Sequence, residues 1–197
     1  NLVIKWYTSI DSTNAQASRE SYDAPEGCVW VAEYQTNGRG QRGNVWESSA
    51  GKNLTFSLLL KPAFLNPTQQ FTISEVISVG ICKYLINKGL NPKIKWPNDI
   101  YWHDKKISGT LIECDLKGKN VCTCIIGCGV NINQTEFLSD APNPVSLKMI
   151  TGMTYDPLAI IKEIVDEFQN IYRNANIGSI IARYMQKLYR NDGLLHA

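Results

Sequence analysis

Gly38-Arg39-Gly40-Gln41-Arg42-Gly43 fits the pattern G-x-G-x-x-G, and Val45 extends it to G-x-G-x-x-G-x-V. In a dinucleotide-binding turn a helix opens directly after such glycines, so that its N-terminus meets pyrophosphate. Here Asn44-Val45-Trp46-Glu47-Ser48-Ser49-Ala50-Gly51 follows, and then a strand-like run from Asn53 to Lys61. The doubly wound nucleotide fold is excluded. A kinase glycine loop does sit between two strands, but the H-R-D and D-F-G elements are missing from the chain. A Walker loop fails as well, because Asn53 follows Gly51-Lys52 and Trp46 stands where the first glycine is required. What remains is a flexible loop between strands, with two guanidinium groups and an indole. Arg grips phosphate oxygens through a bidentate fork, and Trp46 offers a face for a purine.

Outward from the loop, Leu2 to Tyr7 and Cys28 to Tyr34 read as strands. Asp11-Ser12-Thr13-Asn14 opens a short polar helix through Glu20, with an N-cap residue available. In Asn53 to Lys61, Leu58, Leu59 and Leu60 are continuous enough for burial on both faces. Asn66-Pro67 predicts a helix start, with apolar residues at helical spacing from Phe71 to Leu85 before Gly89. Further strands are expected at 93–96, 100–103, 106–116 and 121–132, with Lys117-Gly118-Lys119-Asn120 as a hairpin connection. Asp156-Pro157 starts an amphipathic helix marked by Leu158, Ile161, Ile164, Val165, Phe168, Ile171 and Tyr172. A last helix spans about 179–189. Hairpins with helices segregated from them give α+β: a mixed, mostly antiparallel central sheet with helices packed on it.

The 197 residues, 44% hydrophobic, suffice for a core without metals or disulfides. Lys plus Arg is 20 against 18 Asp plus Glu, and this near balance argues against a nucleic-acid module. No apolar run reaches membrane-spanning length and no signal peptide is visible, so a soluble cytoplasmic domain is expected. Six cysteines (Cys28, Cys82, Cys114, Cys122, Cys124, Cys128) include no C-x-x-C pair, and only His103 and His196 could join them on a metal. Buried free thiols are expected for all six.

A second cluster is Lys95-Trp96-Pro97-Asn98-Asp99. Pro97 holds Trp96 extended and ends the strand, leaving Asn98 and Asp99 in a turn where polar side chains can face a ligand. Lys106 follows, in Lys106-Ile107-Ser108-Gly109. Gly109 within an apolar strand marks a close approach of ligand or backbone. Gly127-Cys128-Gly129-Val130-Asn131 repeats the device: two alternate glycines flatten one face of a strand.

Taken in order, Asp11-Ser12-Thr13-Asn14, Glu33-Tyr34-Gln35, the glycine loop with Trp46, the Lys95 to Asp99 run, Lys106 to Gly109 and Gly127 to Asn131 resemble the catalytic domain of biotin–protein ligases. The resemblance covers residues 11–131 and is looser after Pro144. It implies the class II aminoacyl-tRNA synthetase-like fold of biotin and lipoate ligases, as a single catalytic domain over residues 1–197. The N-terminal DNA-binding domain and small C-terminal β-barrel of other members are expected to be lacking.

The implied reaction joins the biotin carboxylate to the α-phosphate of ATP, giving biotinyl-5′-AMP, and then passes biotin to a lysine of a biotin carboxyl carrier protein. By residue-wise carry-over, Ser12, Thr13 and Gln35 resemble the partners of the ureido ring. Asn14, Gly38, Arg39, Gly40, Gln41, Lys106, Gly109, Gly127 and Gly129 complete the implied biotin site. Arg39, Gly40, Gln41, Arg42, Trp46, Asn98, Lys106 and Asn131 form the implied nucleotide site, with Trp46 as adenine stacker. Lys106 and Arg39 are the implied cations at the α-phosphate. Asp99 keeps two readings, a ligand of Mg²⁺ or a group that helps deprotonate the acceptor lysine.

Many members carry Arg where this chain has Gln41, and some a basic residue at Asn44; a weaker hold on the adenylate is expected. No DNA or membrane partner is implied, and a sheet-edge homodimer is compatible with the fold. The rival readings are a lipoate or octanoate ligase, which needs no ureido partners, and a non-catalytic biotin or nucleotide binder, which needs neither cation.

Overall fold

Alternation along one strand sets the architecture. Leu54, Phe56, Leu58 and Leu60 of β3 (Leu54–Leu60) enter the main hydrophobic cluster, while Leu59 enters a smaller one on the other face. Thr55 and Ser57 share the Leu59 face, and all seven residues are buried. Burial of the leucine run on both faces is as the sequence predicts.

The computed structural model describes residues 3–62, 70–174 and 176–188. Around β3 lie β1 (Ile4–Ile10), β2 (Val29–Gln35), β4 (Lys93–Lys95), β5 (Asp99–Trp102), β6 (Lys105–Lys117) and β7 (Asn120–Val130). They form one seven-stranded sheet in the order β1-β2-β3-β7-β6-β5-β4. Only β1 and β2 pair in parallel among these strands. The expected mixed, mostly antiparallel sheet is the one observed.

The main cluster lies under α2 (Gln70–Asn87), α4 (Pro157–Asn174) and α5 (Ile177–Lys187). On α4 the buried residues Ile160, Ile161, Ile164, Val165, Phe168 and Ile171 make one stripe. Phe168 packs so closely on α2 that a Cβ on Gly80 would stand 2.3 Å from its Cδ1. The opposite face holds α1 (Thr13–Glu20), which covers Trp30, Leu59 and Ile125 with Ala17 and leaves the rest of that face open. Ser12 caps α1 by accepting from the Ala15 N–H at 3.1 Å. Glu20, at the end of α1, accepts from Lys5, Gln16, Trp30 and Tyr7. The expected helix start at Asn66-Pro67 lies outside the described residues.

Three expectations are corrected. Cys114 and Cys124 are joined in a disulfide, so only Cys28, Cys82, Cys122 and Cys128 are free. These two positions are register partners in the β6–β7 hairpin. A bulge between Asp115 and Leu116 shifts the pairing set by the turn, and without it Cys114 would face Thr123. Asp99 begins β5, paired with Lys95, and only Asn98 remains in the turn. A helix that the sequence does not announce, α3 (Leu147–Thr151), is capped by Ser146 and ended by Gly152 in the left-handed region. Burial raises the free thiols of Cys82 and Cys128 to about 12, as inert core thiols require. Among the described residues no helix is long and apolar enough to cross a membrane.

Candidate functional site

The open part of the sheet is floored by glycines. Gly109 and Gly129 are register partners, and Gly127 faces Leu111. A Cβ on Gly129 would lie 2.2 Å from Trp46 Cε2, and one on Gly109 2.9 Å from Trp46 Cζ3. On Gly127 it would lie 2.2 Å from Asn14 Oδ1. Close approach requires these glycines, as the sequence predicts. Here the approaching groups belong to the chain itself.

One end of this trough is polar and tightly connected. The Thr13 N–H and its hydroxyl both donate to Gln35 Oε1, at 2.8 and 3.2 Å. Ser57 Oγ reaches both Thr13 Oγ1 and Asn14 Oδ1, and Asn14 Nδ2 donates to Glu113 Oε2 at 2.7 Å. Ser12, Thr13 and Asn14 are all buried. Hydroxyls and amides held this way present both donors and acceptors to a polar ring.

The glycine loop is folded across the trough. A bridge pairs Arg39 with Val45, and the loop turns through Arg42 and Gly43, both at positive φ. Arg39 forms a bidentate ion pair with Glu113, at 3.1 and 2.9 Å. Gln41 Nε2 donates to Asn98 Oδ1 at 2.7 Å and to the Thr110 carbonyl at 3.1 Å. Trp46 therefore rests on the glycine floor. Its Nε1 and Asn131 Oδ1 are buried without a hydrogen-bond partner among the described residues, a donor and an acceptor beside the floor.

At the other end Lys106 Nζ pairs with Asp99 Oδ2 at 2.8 Å and lies 5.8 Å from the centre of the Trp46 ring. Glu47 holds the rim by accepting from the Leu138 and Ser139 amides. The whole forms a cavity of about 610 Å³. Every site residue expected from sequence lines it except Gly38, packed beneath the Trp46 carbonyl, and Asn98, buried behind Gln41. Sequence reasoning missed Glu113, whose signal is its alternation with Gly109 and Leu111 on one strand face. It also missed Ser74, which accepts from Asn98 Nδ2, and the 137–144 rim. Among the described residues no three His, Cys, Asp or Glu side chains cluster as a metal site. Asp99 has no second carboxylate clustered with it, so it fits Mg²⁺ only as an ion carried mainly by substrate phosphates.

The chain belongs to the biotin/lipoate A/B protein ligase family, whose sequence pattern it matches over residues 6–131. It is similar to biotin ligases within that family. The bifunctional ligase/repressor BirA of Bacillus subtilis is 34% identical over 178 residues, which is 85% of this chain and 53% of that protein. The biotin–[acetyl-CoA-carboxylase] ligase of Paracoccus denitrificans is 32% identical over 154 residues, or 75% of this chain and 63% of that one. The chain thus spans about half the length of the first of these relatives. Its fold superposes on the biotin protein ligase from Aquifex aeolicus in complex with biotin and ATP with a TM-score of 0.81. That match is at 26% identity and covers 94% of this chain and 78% of the other.

Proposed function

We propose that this chain is a biotin–protein ligase. It activates biotin with ATP and transfers it to a lysine of a biotin carboxyl carrier protein. The observation that supports this most directly is the pairing of two unlike ends in one trough. A hydroxyl-and-amide set at Ser12, Thr13 and Gln35 suits a ureido ring, and a cation at Lys106 suits a carboxylate and a phosphate. A lipoyl chain would leave the first set unpaired.

In the first step a carboxylate oxygen of biotin attacks the α-phosphorus, the bond to the β-phosphate oxygen breaks, and pyrophosphate leaves. Two anions are brought together, so Lys106 and Arg39 offset their repulsion and the charge that develops. Arg39 exchanges Glu113 for substrate, since its guanidinium is paired with that carboxylate. The Trp46 indole leaves the glycine floor to admit biotin and then stacks on adenine. Asp99 is the carboxylate that would meet a Mg²⁺ ion carried by the nucleotide, and such an ion would supply neutralisation of phosphate charge. In the second step the acceptor amine attacks the acyl carbon and the bond to AMP breaks; in the alternative reading of Asp99, its carboxylate takes the amine's proton. Gln41 offers a hydrogen bond where relatives offer a charge, so the adenylate dissociates faster than from a Gln41→Arg variant.

Transfer of labelled biotin to a biotin carboxyl carrier domain tests the proposal. One biotinyl group on one lysine, dependent on ATP, is expected. An unmodified acceptor, or lipoylation in its place, overturns it.

A further inference from the structure

Asn98 is buried, with its side-chain amide held at both ends. The order of polarity can be traced from a group that cannot change its role. The Thr110 carbonyl only accepts, so the Gln41 atom 3.1 Å from it is the amide nitrogen. That nitrogen also donates to Asn98 at 2.7 Å, so Asn98 turns its oxygen toward the loop. Its Nδ2 then points the other way and donates to Ser74 Oγ at 2.9 Å.

Ser74 is buried in the first half of α2, among apolar residues that fill the core. Ser78, one turn on, buries a hydroxyl with no partner among the described residues, so the Ser74 contact is not a general property of the helix. The backbone beside Asn98 is fixed independently, because Tyr184 Oη donates to the Pro97 carbonyl at 2.7 Å. Loss of the Ser74 hydroxyl would therefore leave Nδ2 without this acceptor while the turn stays in place.

We propose that Ser74 is a positioning residue that anchors the Asn98 side chain, whose oxygen faces Gln41 at the cavity wall and can accept from a donor group of the nucleotide once Gln41 moves aside. Gln41 holds that acceptor, and the nucleotide displaces it. This deepens the ligase reading and rests on it for the identity of the nucleotide. Without that anchor the buried Nδ2 loses its acceptor, and the side chain is freer to leave the rotamer that presents its oxygen. A positioned hydrogen bond of this kind is worth roughly a five- to tenfold change in affinity.

The test is calorimetric binding of ATP and, separately, of biotin to the wild-type chain, Ser74→Ala, Asn98→Ala and the double variant, with thermal melts as a check on folding. Ser74→Ala should weaken ATP five- to tenfold and leave biotin within twofold. The same change should have no effect on ATP in the Asn98→Ala background, since Ser74 acts through that amide. A Ser74→Ala chain that binds ATP normally, or loses ATP and biotin alike, overturns the proposal. So does an effect that persists without Asn98, or a wild-type chain that binds no ATP. ATP binding without pyrophosphate exchange would instead count against the ligase reading alone, because the cycle is read from binding.

Discussion

Trp46 lies flat against Gly129, with indole carbons so near the glycine backbone that a single Cβ would stand 2.2 Å from Cε2. The same indole covers Gly109 and is approached by Lys106 Nζ from the side. The aromatic side chain therefore fills the flat part of the trough that the glycines create. Gly129→Ala is expected to expel the indole and crowd the floor, an overlap worth about 1–3 kcal/mol. Biotin affinity should fall roughly five- to a hundredfold by calorimetry, and the melting temperature should fall by several degrees at most. Unchanged affinity would show that the floor is not where biotin lies.

Arg39 and Glu113 are each about 40% exposed in their side chains, at 42% and 41%. An ion pair that open to water contributes about 1 kcal/mol at most. Glu113→Gln should accordingly leave stability nearly unchanged in urea titrations. Its effect should appear in binding, because the carboxylate also fixes Asn14 beside the Thr13–Gln35 pair. A several-fold loss in biotin affinity at constant stability is the expected result. A large loss of stability would make Glu113 a structural residue.

Acid should loosen the α1 face first. Hydrogen bonds from Lys5 and Trp30 hold the Glu20 carboxyl at about 2, well below its ordinary 4.5. The Arg19 fork likewise holds Asp11 low. Groups with depressed folded values contribute stability above the unfolded pKa and lose it as pH falls through the folded one. Urea midpoints should therefore decline between about pH 4.5 and 2, and Glu20→Gln should flatten part of that decline. A midpoint insensitive to the substitution across this window would contradict the assignment.

Thiol chemistry checks the β6–β7 register. Titration of the unfolded chain without reductant should find four thiols (Cys28, Cys82, Cys122 and Cys128), and reduction should raise the number to six. Six without reduction would mean that Cys114 and Cys124 are unpaired in the protein as isolated.

Much of this was legible because local chemistry and the sheet agree. Alternate glycines at Gly127 and Gly129, the buried leucines of β3 and the stripe on α4 each repeat with the period of their element, and the structure uses them that way. What stayed hidden depends on distant or irregular pairing. The bulge at Asp115 and Leu116 moves Cys124 opposite Cys114, and no turn signal announces it. Glu113 is an ordinary strand carboxylate until a loop far away in the chain brings Arg39 to it. Ser74 looks like a tolerated hydroxyl in an apolar helix, and only the Asn98 contact gives it a partner. The loop itself reads as flexible, and the Arg39, Gln41 and Trp46 side chains that hold it closed are paired across the sheet.

The central claim is that this trough joins biotin to the α-phosphate of ATP, and biotin-dependent exchange of labelled pyrophosphate into ATP measures that step directly. Exchange with biotin and not with lipoate, abolished by Lys106→Ala, is the predicted result. Exchange supported by lipoate, or biotin bound tightly with no exchange at all, would contradict it.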